Sequence, residues 1–230
     1  NKSPTASNPT TINVECSLDV PDSDVLVVND EFDSCDTTLV VAFVSDVSDG
    51  NSTPEIIIRT YSITDDCENY TTVEQTIIVN DTQAPMATSP GNINVECYSD
   101  VSAPNELVIT DETDNCTASP VVAFVSDSSD GNYAPETIVR TYSVTDEAGN
   151  DTSVTQTIII NDVTSPTASS PTSINVECTG DIPSPDVLVI VDETDNCTAS
   201  PVVAFVSDVS DGNYAPEMIT RTYSVTDEAG

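Results

Sequence analysis

The chain has 230 residues with 4 Lys+Arg against 40 Asp+Glu, a net charge of −36, and neither His nor Trp. That balance excludes nucleic-acid binding by a basic face and polybasic docking on anionic lipid. Without His, Ser-His-Asp, Cys-His and His-ligated metal chemistry are ruled out. No apolar run approaches the eighteen residues of a membrane-spanning helix, so membrane insertion is not expected. Hydrophobic residues make up 37% of the chain and cluster in blocks such as Val40–Val44 and Thr76–Val79. Such blocks can build a core, which argues against disorder.

An internal period organises the chain. Cys16, Cys97 and Cys178 are 81 residues apart, as are Cys35, Cys116 and Cys197, and Arg59, Arg140 and Arg221. Residues 111–127 and 192–208 are identical. Three copies of one module are expected, at 1–81, 82–162 and 163–230. Each opens with two prolines: Pro4 and Pro9, Pro85 and Pro90, Pro166 and Pro171. Proline fixes φ and cannot donate to a sheet, so these segments read as semi-rigid spacers.

Along the second copy, Ile93-Asn94-Val95 alternates and Leu107–Thr110 is a short apolar run. Val121–Ser126, apolar on both faces, reads as a central strand. Ile138, Tyr142 and Val144 share one face of a half-buried strand. Residues 146–150 form a turn and 152–160 return. Six or seven short β-branched strands per copy predict an all-β fold of three tandem immunoglobulin-like sandwiches. In series these would make a rod on the order of 100 Å long. The third copy lacks the counterpart of residues 150–162, read as a module's last strand. Two readings stay open: a window from a longer array, or a strand supplied by a neighbouring chain.

Seven cysteines divide as two per copy plus Cys67. The expected pairs are Cys16–Cys35, Cys97–Cys116 and Cys178–Cys197, each closing a loop of about 20 residues worth roughly 3 kcal/mol. Disulfides imply an oxidising, extracellular setting. Cys67, on an expected hairpin tip, is left either unpaired or bridging between chains.

The acids recur in sets: Asp30, Glu31 and Asp33; Asp111, Glu112 and Asp114; Asp192, Glu193 and Asp195. Calcium takes six to eight oxygens, and these loops could supply some of them. The competing reading is a solvated surface with Asp and Asn as turn residues. No other cofactor is expected. The single arginine of each copy, Arg59, Arg140 or Arg221, is expected to pair with an acid at the sandwich edge. Tyr61, Tyr142 and Tyr223 are expected in the core. Sequons mark Asn1, Asn51, Asn69, Asn80, Asn115, Asn150 and Asn196 as candidate glycan acceptors. Asp36-Thr37-Thr38 offers Thr37 as a candidate O-glycan site.

The sequence Ile-Asn-Val-Glu-Cys, with Val-Asp-Glu-Thr-Asp-Asn-Cys or Thr-Asp-Glu-Thr-Asp-Asn-Cys, Arg-Thr-Tyr-Ser-Val-Thr-Asp-Glu-Ala-Gly and Thr-Ile-Ile-Ile-Asn-Asp, resembles the hyalin-repeat (HYR) and HYR-like family. The resemblance implies immunoglobulin-like modules, in tandem, in long secreted and surface proteins, common in bacteria of the Bacteroidota group. Such modules often carry a second cysteine pair. Here only Cys67 stands at one of its positions. Ala148 and Ala229 occupy the equivalent sites, and Thr53, Ala134 and Ala215 stand near the partner's. The second bridge is therefore expected to be lost.

No catalytic equipment is legible, and no enzyme is expected. The expected function is a structural segment of an extracellular fibre or cell-surface stalk, with copies of itself as partners, strand sharing as one route of assembly, and a glycan coat. The alternative is an adhesin that binds glycans through Tyr133 and Tyr214, the repeated aromatics of the Gly-Asn-Tyr-Ala-Pro loops.

Overall fold

The computed structural model describes residues 2–230; the sequon at Asn1 lies outside them. The chain is all-β, with one sheet per repeat. Among the described residues, the first sheet contains β1 (Ile12–Val14), β2 (Val40–Ser48), β3 (Glu55–Thr64) and β4 (Tyr70–Val79). Its spatial order is β1-β4-β3-β2. β1 lies parallel to the end of β4, with Val14 opposite Val79, while β2, β3 and β4 run antiparallel. The second sheet repeats this with β5 (Ile93–Val95), β6 (Val121–Ser129), β7 (Glu136–Thr145) and β8 (Asp151–Ile160), in the order β5-β8-β7-β6. The third contains only β9 (Val202–Ser210) and β10 (Ile219–Thr226).

The facing layer is irregular. It consists of short 3-10 turns and a single bridge per repeat: Thr5 to Phe32, Met86 to Thr113, and Thr167 to Thr194. The expected run Leu107–Thr110 is therefore a 3-10 turn (Glu106–Val108) followed by buried Ile109, not a strand. Asp24 caps the corresponding turn of the first repeat by accepting from the Leu26 N–H, as small acidic residues do at such starts. By contacts the described chain forms two compact units: 1–88, 106–124 and 142–154; and 89–105, 125–141 and 155–230.

Period-two burial explains β3 and β4. Arg59, Tyr61 and Ile63 point inward from β3, as do Val73, Gln75, Ile77 and Val79 from β4. Tyr61 and Ile63 pack with Val28 and Val73. In the second repeat Tyr142 and Val144 pack with Ile109 and Val154, and Ile138 packs with Ile158 and Ile160. The expectation of a central strand at Val121–Ser126 is corrected: β6 is an edge strand, hydrogen-bonded on one side only. Val121 and Val125 are exposed. Its apolar run misled because burial on both faces and exposure of one look alike in a short β-branched stretch.

Each arginine crosses from β3, β7 or β10 to the edge strand beside it. Arg59 stands opposite Asp46 in register and donates two hydrogen bonds, Nε to Oδ1 at 2.9 Å and Nη2 to Oδ2 at 2.8 Å. Arg140–Asp127 and Arg221–Asp208 repeat the same fork. The Asp46 carboxylate holds the Arg59 guanidinium charged, raising its pKa further. A bidentate pair fixes orientation as well as charge.

The β3–β4 turn differs informatively between copies. Gly149 and Gly230 have φ of 91° and 94°, whereas the equivalent residue in the first repeat is Glu68, at φ 64°. A side chain in that left-handed region costs roughly 1–2 kcal/mol. Glu68→Gly should therefore raise stability by about 1 kcal/mol, after allowing for glycine's greater chain entropy. The check is the urea midpoint at unchanged slope; a midpoint at or below that of the parent chain would refute the strain.

Candidate functional site

The feature that recurs intact is the junction between successive repeats. β1 ends beside β4, so the Asn80 N–H donates to the Val14 carbonyl at 2.9 Å. Glu15 then accepts from the backbone and hydroxyl of Thr82. Four residues on, Met86 bridges Thr113 in the next repeat. The linker thus brings residue 16 and the 113–116 loop together, and Cys16 is bonded to Cys116. The same construction recurs after the second sheet. The Asn161 N–H donates to the Val95 carbonyl, Thr164 Oγ1 donates to Glu96, and Cys97 is bonded to Cys197. Each bond spans 100 residues of sequence.

These bonds correct the expected Cys16–Cys35, Cys97–Cys116 and Cys178–Cys197 pairs. Cys35, Cys67 and Cys178 carry exposed free thiols. In the first repeat the reason is geometric. Cys16 comes after β1 at the Val79 end of β4, whereas Asp36, beside Cys35, accepts from the Asp66 N–H at the opposite end. β4 has ten residues, which at about 3.3 Å each hold the two cysteines roughly 30 Å apart. A disulfide needs Cα atoms within about 7 Å.

The loop that carries the second cysteine is shaped by its aspartate. Asp114 Oδ2 accepts from the Cys116 and Thr117 N–H groups, at 2.9 and 2.8 Å, and Asp195 does the same for Cys197 and Thr198. These bonds, Thr198's first, hold the Asp195 carboxyl below its ordinary pKa. Asn115 Nδ2 rests on the sulfurs of Cys16 and Cys116, and Asn196 Nδ2 donates to Glu96 Oε2 at 2.9 Å.

The acid triplets divide. Asp30, Asp111 and Asp192 turn away to hold the start of their own repeat, accepting from Ser7, Thr88 and Ser169. Those contacts, the hydroxyls first, lower all three carboxyl pKa values. The other members stay together in kind: Glu31 Oε2 and Asp33 Oδ2, Glu112 Oε2 and Asp114 Oδ1, and Glu193 Oε2 and Asp195 Oδ1 are buried without a hydrogen-bond partner. Asp81, Asp114 and Cys116 bring potential ligand atoms within 4.8 Å of one another, as do Asp162, Asp195 and Cys197. The sulfur in each set is in a disulfide and is not a thiolate ligand. Two carboxylates therefore converge at each junction, a cluster that suits a hard cation better than a soft one.

The remaining candidates are scattered. Asn51, Asn69 and Asn150 use their Nδ2 groups to close turns on Asp49, Asp65 and Asp146, and Asn115 and Asn196 use theirs at the junctions. Asn80 is half-buried and Thr37 is exposed. Cys67 sits on the β3–β4 hairpin tip, as expected, with its N–H donating to Asp65. Tyr133 and Tyr214 are exposed. Sequence reasoning missed Glu15, Glu96 and the linker threonines. A signal existed, since Glu precedes the first cysteine of every repeat.

Residues 85–160 are similar to the family model of the HYR-like domain with 4 cysteines. Two cysteines, Cys97 and Cys116, fall in that stretch. The HYR-like resemblance is thereby supported for the second repeat. A search of curated proteins finds no match. Among solved structures, Drosophila N-cadherin EC1-4 is similar over 70% of this chain at 14% identity, with a TM-score of 0.34. The match covers 50% of that chain's length. No helix among the described residues is long and apolar enough to cross a membrane.

Disulfides closing loops this long restrict the unfolded chain strongly, by up to about 4.7 kcal/mol in the chain-entropy model. Replacing Cys16 and Cys116 together by Ser should cost about 2–5 kcal/mol, read by denaturant unfolding under non-reducing conditions. An unchanged midpoint would show that the bond does not staple the fold.

Proposed function

We propose that the chain is a non-catalytic, structural segment of an extracellular fibre or cell-surface stalk, built from the three modules 1–81, 82–162 and 163–230. The observation that carries this reading is the recurrence of one junction, with the same disulfide, backbone bond and acidic loop, at an 81-residue step. A unique binding site gains nothing from repetition; a spacer gains length and stiffness. Disulfides favour an oxidising, extracellular location. A Bacteroidota-type bacterial source is part of this reading and rests on the sequence resemblance. Strand sharing and a glycan coat are further parts of it, both resting on the sequence reading alone. Small-angle scattering tests the core of the proposal. A compact chain of this length has a radius of gyration of about 17 Å. The fibre reading requires a value well above that and a maximum dimension on the order of 100 Å. A value near the compact one would sink it.

Calcium at the junctions belongs to the same reading, with Asp81 and Asp114, and Asp162 and Asp195, as the residues that would hold it. The unpartnered carboxylate oxygens favour this, because a buried polar atom without a partner is costly. Affinity on the order of 10⁻⁴–10⁻³ M is expected for an extracellular module. Calcium should raise the melting temperature of the parent chain and have a smaller effect on an Asp114→Asn, Asp195→Asn variant. Equal shifts in both would leave only general screening of charge.

A further inference from the structure

We propose that the free edges of β2, β6 and β9 are docking sites for an extended cationic segment of another protein, with β-branched residues in its middle and Lys or Arg at both ends, which adds to the sheet as a further strand. Among the described residues, each of these strands lies at the end of its sheet and pairs with a neighbour on one side only. Along the other side, alternate residues present backbone N–H and C=O groups that no strand takes up. The three edges carry one repeated sequence, Val-Val-Ala-Phe-Val-Ser-Asp, at 40–46, 121–127 and 202–208. Apolar side chains are exposed on both faces of the edge. In β2, Val40 and Val47 stand opposite Thr64 and Ile58 on one face, and Phe43 stands opposite Tyr61 on the other; Val40 and Val47 are each 60% exposed and Phe43 is 43% exposed. Sheet edges are commonly blunted by lysine or proline, and β2, β6 and β9 contain neither.

Charge at the two ends selects the occupant. At the Val40 end of β2, Asp65 follows Thr64, the residue opposite Val40, and Asp36 accepts from the Asp66 N–H. At the other end, Asp49 follows the strand and Glu55 accepts from the Ser48 hydroxyl. β9 is bracketed in the same way. Asp227 follows Thr226, which stands opposite Val202, while Asp211 follows Ser210 and Glu217 accepts from its hydroxyl. Between the ends, the Arg59 fork cancels the charge of Asp46, and Arg221 does the same for Asp208. Each edge is thus a neutral apolar stretch of nine residues, roughly 30 Å long, with carboxylates at both ends. A second copy of the chain fits this badly, because pairing in either direction sets acids against acids. Nor does any segment of these residues carry the complementary charge, since the basic residues are Lys2 and the three arginines already paired. A bulge at Val44 bends β2, which disfavours edge-to-edge stacking of identical sheets but not the addition of one short strand.

In such strand addition the main-chain hydrogen bonds supply affinity and the side chains supply choice. Here the backbone of β2, β6 or β9 takes the strand, and the end carboxylates choose one with basic ends. Several equal edges on one chain let a partner with several such segments bind more tightly than any single segment does. The inference adds a partner and does not depend on whether the chain is a fibre, a stalk or a free protein.

The experiment uses the parent chain and a synthetic peptide, Lys-Lys-Val-Thr-Val-Thr-Val-Thr-Val-Lys-Lys, at about 0.15 M salt, where attraction between distant charges is screened. Two control peptides keep the length: one is methylated on alternate backbone nitrogens, with the same charge but no capacity to extend a sheet, and one has Glu in place of every Lys. Fluorescence anisotropy should show binding of the first peptide, at least tenfold weaker binding of the methylated one, and none of the acidic one. Amide hydrogen exchange should slow in Val40–Ser48, Val121–Ser129 and Val202–Ser210 when the first peptide is added. The chain carrying Val44→Lys, Val125→Lys and Val206→Lys, three exposed positions on these edges, should bind the first peptide at least tenfold more weakly. The peptide controls use the parent chain, so the test stands even where that variant folds poorly. Equal binding of the methylated peptide would reduce the effect to general attraction by a polyanion and overturn the proposal. So would no binding, slowed exchange confined to other strands, or exchange in β2, β6 and β9 that slows with chain concentration alone, which would assign the edges to a second copy.

Discussion

Val14 lies opposite Val79 because β1 pairs in parallel with the last residues of β4, and that pairing fixes every other group at the first junction. It sets the Asn80 N–H on the Val14 carbonyl and delivers Glu15 to Thr82. It also leaves Cys16 facing the loop that the next repeat brings in through Met86 and Thr113. A parallel pair cannot be joined by a tight turn. The chain between β1 and β4 must therefore run the length of the module and back, which carries Cys35 to the far end. Strand order and disulfide connectivity are consequences of the same constraint.

The surplus of acids looks like a threat to such a fold, since a net charge of −36 repels itself. The structure gives many of these carboxylates local work. Asp65 accepts from Cys67 and Asn69 to close a hairpin, and its pKa falls, chiefly because of the Asn69 side chain. Asp49, Asp130 and Asp211 do the same for the β2–β3, β6–β7 and β9–β10 loops, with backbone N–H bonds as the leading cause of their lowered pKa. A carboxylate bonded to N–H groups prefers to be charged. Acidity in this sequence is therefore largely turn chemistry, with Gly50, Gly131 and Gly212 at positive φ completing the loops.

Much of this was legible in the residues. The 81-residue step, the inward faces of β3 and β7, the arginine–aspartate pairs and the hairpin at Cys67 all derive from local pattern, and local pattern is what sequence displays. The disulfide partners were not legible. Pairing depends on which end of a module each cysteine reaches, and connectivity cannot be read from spacing. The edge position of β6 was hidden for a related reason, because Val121–Val125 carries the same residues whether or not a strand lies on its other side. The acid triplets looked like single ligand sets, yet Asp111 and Asp114 serve different loops.

The third repeat shows what the closing strand contributes. Its sequence through β9 and β10 is close to that of β6 and β7, yet its core is open. Tyr61 and Tyr142 are wholly buried, whereas Tyr223 is only half-buried. The Arg221 side chain is 20% exposed, against 4% and 3% for Arg59 and Arg140, although its bidentate bond to Asp208 is unchanged. Ile174 and Val176, equivalents of the β1 and β5 residues, form no strand and are exposed. The difference between repeats is a ten-residue strand like β4 or β8, which would cover β10 on one side and hold the Ile174–Val176 segment on the other. Ion pair and hairpin are thus set by two neighbouring strands, while burial of the tyrosine needs the third. In the second repeat that third strand also ends beside Cys97, so the element that completes the core is the one that positions the covalent link to the third repeat.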